Sequence, residues 1–439
     1  VNPLPGADSA ASPQLQSTSH LEFQILPVQT AAEQELFLRV PAIVYASDPN
    51  WVPPLQKKIA SQFAPSSPFF QYGKLQQFIA ISGKTEGRGD RRTEGRGEQE
   101  MEGWGDTEST PIPNSQSPIP NPQFPIPNSQ SPIGRIVAAV NHRLVEREGQ
   151  NIGLFGYFEC IPDFTVAQAL LDAACQWLRE QGMTRVRGPI DLSTHNNCLF
   201  LVDGFDTPPL IMMPYNPPTY PQFMEMAGWQ GAKDAYAYYL PLDKPLPPEY
   251  EKGYRIACKS GVSFRLFRTK GEGFTQDCID FYRLFTKAFA NNWSSSPRTE
   301  AEFLEAAKSL QSSADPSLFP IAEYNGEMIG FCMTLPDYNM VLKQVNGKLD
   351  LIGILKALWY RRQIDRVRTI AICSLPEHRR KMVALALIHL CFQGATQRRK
   401  PYKWAELSWV YEDNLPSRNL IEGTGAHIYK TFRIYEKGL

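Results

Sequence analysis

Long apolar runs are missing from this chain. The best, MVALALIHLCF from Met382, stops near half of the ~20 residues that a bilayer-crossing helix needs. No spanning helix is expected, and no membrane partner. Metal-ligand spacing is missing too. The eight cysteines form no C-x-x-C pair, and the six histidines form neither H-x-x-x-H nor H-x-H. A zinc site is therefore not expected, and the scattered cysteines read as reduced, mostly buried thiols of a cytoplasmic protein. Excess charge is lacking, since 45 basic residues balance 45 acidic ones. That balance disfavours nucleic acid as a partner. There is no phosphate-cradling G-x4-G-K-S/T and no G-x5-E-x7-R-E-x-x-E-E-x-G box, so nucleotide hydrolysis has no foothold. Residues 1–19, VNPLPGADSAASPQLQSTS, have neither a basic start nor an apolar stretch, and read as a disordered leader rather than a signal peptide.

What is present is length and duplication. A chain of 439 residues with 42% apolar side chains can build two or three cores. Residues 84–133 stand apart. TEGRGDRR from Thr85 is followed by TEGRGEQE from Thr93, then PIPNSQS, PIPNPQF and PIPNSQS from Pro111, Pro118 and Pro125. Mixed charge and dense proline cannot bury enough surface to offset ordering entropy, so this insert is expected to be disordered. KLQQFIAIS before it and IGRIVAAVN after it are strand-like, which places the insert at a hairpin tip.

After that hairpin come the strand GLFGYFECI and a helix carrying Val166, Leu170, Ala173 and Trp177. Thr165 and Gln168 have capping-box spacing at its start. The strand TRVRGPI, a long loop from Asp191 to Pro218, a short helix and the strand AKDAYAYYLPL complete the half. The second half repeats the order. IAEYNGEMIGFCMTL is a hairpin turning at Asn325-Gly326, RTIAICSL is a strand, Val383, Leu387 and Leu390 mark a helix, and KWAELSWVYED and AHIYKTFRIYE are strands. The halves are expected at residues 20–243 and 244–439, divided near the proline-rich LDKPLPPEY.

This order, an α/β fold with a mixed sheet in each half, resembles the GNAT (Gcn5-related N-acetyltransferase) fold. DPNWVPPL from Asp48, SPFF from Ser67, VDGFDTPPLIMMPYNPP from Val202, ELSWVYEDN and YKTFRIYEK resemble a bacterial family with two GNAT-like domains in tandem. The resemblance covers residues 20–439 apart from the insert. It implies an N-acyltransferase that takes acetyl-CoA or another acyl-CoA as co-substrate, uses no metal, and lets a small-molecule or peptide amine attack the thioester directly. The alternative is a non-catalytic ligand-binding or scaffold protein built on the same fold.

Acyl transfer needs a grip on pyrophosphate, a donor to the thioester carbonyl, a base for the amine and an acid for the thiolate. GNAT proteins grip pyrophosphate with R-x-x-G-x-G/A. Here PEHRRKMVALAL keeps the charge of Arg379, Arg380 and Lys381, but Arg380 and Met382 replace the glycines. It reads either as a phosphate site or as a basic helix start, and Ser374 with Glu377 could cap an earlier helix that erases the loop. The first half has CIPDFTVAQAL instead, where Asp163 would repel phosphate. Asn414 matches the family's asparagine, while Ile421 replaces its acid tyrosine. Tyr429 or Tyr435 could substitute as acid. Glu412 is a candidate base in the second half, and Glu159, within an apolar strand, in the first. Asn216 and Phe223 occupy the corresponding first-half positions. Asp203, Asp206, Tyr215 and Asn216 in the long loop are candidate substrate contacts.

Overall fold

The computed structural model describes residues 21–83, 131–289, 292–347 and 350–439. The expected leader, and the insert up to residue 130, lie outside the described residues. By contact density the chain divides into a small unit, Val1–Gln24 with Ile81–Ser131, and a large one, Ile25–Ala80 with Pro132–Leu439. In the small unit Ser82 N donates to Ser131 O (3.0 Å) and Gly83 N to Glu22 O (2.7 Å). The two chain ends that flank the insert are thus hydrogen-bonded, as a hairpin requires.

The first half runs β1 (Phe23–Pro27), α1 (Ala31–Val44), α2 (Gln56–Gln62), β2 (Gly73–Ser82), β3 (Pro132–Asn141), α3 (His142–Glu148), β4 (Ile152–Cys160), α4 (Phe164–Glu180), β5 (Arg185–Gly188), β6 (Phe200–Asp203), α5 (Thr219–Met226) and β7 (Gln230–Pro241). The second runs α6 (Pro248–Lys259), β8 (Ser263–Leu266), α7 (Gly271–Ala288), α8 (Glu300–Leu310), β9 (Pro320–Tyr324), β10 (Glu327–Pro336), α9 (Asn339–Gln344), α10 (Leu351–Tyr360), β11 (Arg366–Ser374), α11 (Val383–Thr396), β12 (Trp404–Tyr411), α12 (Leu415–Glu422) and β13 (His427–Gly438). The duplication is plain: β4–α4–β5 corresponds to β11–α11–β12, and α5–β7 to α12–β13.

The local signals act as their chemistry requires. Asn325 (φ 53°) and Gly326 (φ 81°) supply the two left-handed residues of a tight turn between β9 and β10. Val166, Leu170, Ala174 and Leu178 of α4 are buried at helical spacing. Its cap differs from expectation. The Asp163 carboxylate, not Thr165, accepts from the N-terminal turn (Thr165 N, 2.8 Å), and Gln168 bonds Asp172 instead. A carboxylate two residues earlier already fills the cap position.

The sheet order is β1-β2-β3-β4-β5-β13-β7-β12-β11-β10-β9-β8, with β6 also on β13. The final strand of each half sits in the other half. β13 pairs with β5 (Tyr435↔Gly188), β7 pairs with β12 (Tyr238↔Leu407), and the two pair with each other from His427↔Tyr239 to Glu436↔Gln230. Tyr238, Phe432, Ile434 and Tyr435 are buried along this seam. Neither half closes its sheet alone. Among the described residues no helix is long and apolar enough to cross a membrane. All eight cysteines are free, and only Cys258 is exposed.

Candidate active site

The second half holds an open wedge in the sheet. β11 and β12 pair in parallel only from Arg366↔Trp404 to Thr369↔Leu407. β11 then runs on to Ser374 and β12 to Tyr411 without pairing each other. On its other side β11 shifts register against β10, where Thr334↔Thr369 is followed by Met333↔Ala371 and Ile370 is skipped. A bulge at that point bends the strand as its partner departs. A cavity of about 400 Å³ lies there, lined by Ile370 to Ile372 of β11 and Ser408 to Tyr411 of β12.

Aromatic rings build the apolar wall. Phe274, Phe281 and Phe285 recur along α7 at helical spacing, and Phe303 joins them from α8. Phe281 meets Phe331 edge-on at 4.3 Å, and Phe285 meets Phe289 at 4.5 Å. Such rings hold one another at fixed angles, so the space between them keeps its shape.

The opposite wall is polar. Arg368 is buried and donates from Nε to Ser408 Oγ (2.8 Å) and from Nη1 to Ile211 O (2.7 Å). It pairs with fully buried Glu406 at 3.4 Å. Ser408 Oγ donates to Glu406 Oε1 (2.5 Å), and Tyr429 donates to Glu406 Oε2. A buried pair with its remaining hydrogen-bond sites filled is the form in which such charges persist.

His195 reaches this cavity from the long loop of the first half. Its Nε2 lies 2.9 Å from Ser296 O, which can only accept, so Nε2 carries the proton and Nδ1 is left with a lone pair. Loss of water pulls the imidazole down to about 4, which keeps it neutral at ordinary pH. In the sequence this residue stands outside every motif that carries the family resemblance. The available signal was a histidine set among Thr194, Asn196 and Asn197 in a loop too long for a mere connection.

The expected site residues fall in different places. Asn414 lines the cavity and caps α12, accepting from Ser417 N (3.3 Å). Ile421, at the expected tyrosine position, is buried and lines the same wall. Tyr429 lies behind Glu406 rather than on the cavity, and burial first, then Glu406, raises its pKa. Glu412 lies just beyond β12, exposed, bonded to the backbone of Asp234 (3.2 Å). Tyr215 donates to Asp48 (2.8 Å). Asn216 is buried with its amide bonded to Leu201 N (2.7 Å) and Leu201 O (3.1 Å). The expected long loop is interrupted by β6, which ends at Asp203; Asp203 and Asp206 are exposed, and none of these four residues lines the cavity.

Arg379 to Lys381 form a short 3-10 turn, Pro376–Lys381, between β11 and α11. The earlier helix cap expected from Ser374 and Glu377 does not form, because Glu377 reaches out to Lys287 (2.6 Å). Met382 takes φ 58°, the left-handed conformation that a glycine would adopt there. α11 begins with no side chain bonded to its first N–H groups, so these remain open to an anion. Lys381 is tied to Ser260 O (3.0 Å) and lies over the Tyr324 ring. Arg379 and Arg380 are exposed, with no side-chain partner among the described residues.

The first half lacks this opening. Asp191 Oδ1 accepts from Tyr157 N (2.7 Å), and Ile190 N donates to Phe155 O (2.7 Å), so the chain after β5 stays fastened to β4. A Cβ on Gly156 would meet Ile190 O at 2.5 Å, a measure of how closely the two backbones approach. Glu159 accepts from Tyr220 (2.9 Å). Burial pushes both Glu159 and Asp191 up to about 7 against the pull of Arg135.

Residues 278–425 match the Acetyltransferase (GNAT) family. The bacterial ceramide synthase of Caulobacter vibrioides (strain NA1000 / CB15N) is 28% identical over 429 residues, covering 96% of this chain and 99% of its own. Protein YghO of Escherichia coli (strain K12) is 26% identical over 438 residues, covering 96% and 98%. A solved tandem GNAT protein from the clavulanic acid biosynthesis pathway superposes with a TM-score of 0.51 at 11% identity, covering 95% of this chain and 98% of its own. The fold is that of two GNAT-like domains in tandem. These likenesses support acyltransferase activity, and GNAT proteins generally draw their acyl group from acyl-CoA. Among the described residues no group of three or more His, Cys, Asp and Glu is placed to hold a metal.

Proposed function

We propose that this chain is an N-acyltransferase that joins an acyl group from acyl-CoA to a long-chain amine in the wedge between β11 and β12. The observation that carries the reading is the aromatic-walled cavity of about 400 Å³ opening beside the polar cluster of Arg368 and Ser408. An acetyl group would leave most of that space empty, whereas a hydrocarbon tail would fill it. A cavity of roughly 150 Å³ accommodates benzene, so the wedge has room for roughly sixteen carbons. The likeness to a protein named for making ceramide, an N-acylated long-chain amino alcohol, points the same way.

In this reading Arg379, Arg380 and the open N–H groups of α11 hold the pyrophosphate. Backbone N–H groups of β11 at its bulge polarise the thioester carbonyl. The amine nitrogen bonds to the acyl carbon as the carbon–sulfur bond breaks; the thiolate leaves, and the nitrogen's surplus proton passes to water. His195 Nδ1, beside the apolar cavity, accepts a hydrogen bond from the amine and guides its lone pair. No tyrosine stands at position 421, so the thiolate, with a parent pKa near 8.5, departs without a donor from the cavity wall. The test is release of free thiol from long-chain acyl-CoA in the presence of a long-chain amino alcohol, with the amide identified by mass spectrometry. Acyl-CoA binding without amide formation from any amine would instead favour the ligand-binding alternative.

A further inference from the structure

Helix α10 is turned inside out. At 100° per residue, Leu351, Ile352, Ile354, Leu355, Leu358 and Trp359 fall within an arc of about 160°, and that arc faces solvent. Leu351 is 82% exposed, Leu355 69% and Trp359 58%. The opposite side carries buried Gly353 with Ala357 and Tyr360, which pack on the core of the second half. Helices of globular proteins present large apolar residues inward and polar ones outward. This one turns Gly353, Ala357 and Tyr360 inward and all its large aliphatic residues outward, which marks a binding surface.

The charge beside that surface selects the partner. Lys356 is exposed on the helix, and Arg361 and Arg362 follow it directly. Lys400 Nζ donates to Arg362 O (2.5 Å), which brings exposed Arg399 and Lys400 to the same end. The nearby acids are engaged: Asp350 caps the helix at Gly353 N (2.7 Å), Asp365 pairs with Lys403 (2.9 Å), and Asp315 with Arg398 (2.8 Å). An apolar arc with Trp359 at one end, beside a basic cluster, matches the interface of a bilayer carrying anionic lipid. A second copy of the chain fits less well. A ten-residue helix is about 15 Å long and about 10 Å across, so its face falls far short of the ~600 Å² per partner that a stable dimer needs.

We propose that α10 lies flat on an anionic membrane surface, with its Leu, Ile and Trp side chains in the acyl boundary and the basic cluster on the headgroups. The inference goes beyond the acyl-transfer reading, and its test needs no activity. The full chain is floated with vesicles of phosphatidylcholine alone and of equal phosphatidylcholine and phosphatidylglycerol. Binding should favour the mixed vesicles about tenfold or more and weaken with salt. Leu355→Glu with Trp359→Glu, and separately Arg361→Glu with Arg362→Glu, should each weaken binding about tenfold or more. Circular dichroism melting checks the fold, and Leu351→Glu replaces the first pair should that pair melt early. Wild type that does not float, folded variants that float as well as wild type, or light scattering that shows a dimer broken by the apolar substitutions would overturn the proposal.

Discussion

Ala307 lies on α8 and lines the wedge cavity. Changing it to phenylalanine sets an extra ring into the space assigned to the substrate tail. By the benzene comparison, one ring takes the room of roughly six carbons out of roughly sixteen. Each buried methylene contributes about 0.8 kcal/mol, and 1.4 kcal/mol is tenfold, so each is worth roughly fourfold in kcat/KM. Ala307→Phe should therefore shift the preferred chain length down by roughly six carbons. The longest substrates should lose up to about three powers of ten, and less where the helix moves aside. The assay is thiol release across a ladder from acetyl-CoA to stearoyl-CoA with one amine, then across amines of increasing tail length with one acyl-CoA. Acetyl-CoA should be little affected. Equal loss at every length, or a wild type indifferent to chain length on both ladders, would refute the reasoning.

Three further outcomes follow from the same geometry. A ligand at a hundred times its Kd stabilises by about 2.7 kcal/mol, so saturating acyl-CoA should raise the melting midpoint by several degrees; Arg379→Glu with Arg380→Glu should reduce that rise, while Asp163→Lys in the first half should not. Arg368→Ala leaves Glu406 buried without its cation and should cost about 3–5 kcal/mol in denaturant unfolding; a cost below 1 kcal/mol, by the surface-pair standard, would mean the cluster is hydrated. His195 is held near 4, below its unfolded value, so the fold favours the neutral ring; its contribution is present above pH 6.5 and is lost as pH falls from there through 4, by up to about 3 kcal/mol. His195→Gln should therefore lose less stability than wild type between neutral and acid pH, and parallel curves would contradict this.

Much of the fold was legible because it rests on local pattern. The Asn325-Gly326 turn, the apolar stripe of α4 and the β-branched strands each declare themselves within ten or so residues. The exchange of β7 and β13 does not. An antiparallel strand reads alike whichever neighbour it pairs with, and both candidate neighbours lie in sheets of the same design. The cavity was hidden for a related reason. Phe274, Phe281 and Phe285 look like an ordinary core stripe on α7, and only the divergence of β11 from β12 leaves their inner side unfilled. Polarity alone does not mark the site. Asp203, at the end of β6, and Asp206 and Glu412 in loops are carboxylates of the kind that catalysis uses, yet all three are exposed away from the cavity. Met382 stands where the family has a glycine, and its backbone keeps the glycine conformation.

The central claim is that the second-half wedge joins an acyl chain to the nitrogen of a lipid-like amine. The most direct test is to incubate the full chain with palmitoyl-CoA and a long-chain amino alcohol, and to follow the N-acyl product by mass spectrometry in wild type, Ala307→Phe, and Arg379→Glu with Arg380→Glu. The account predicts amide from wild type. It predicts far less from Ala307→Phe with palmitoyl-CoA but restored product with a shorter acyl chain. It also predicts reduced product from the arginine pair that recovers at higher acyl-CoA concentration. Amide formation undiminished in all three, or none from wild type across the acyl-CoA and amine ladders, would contradict it.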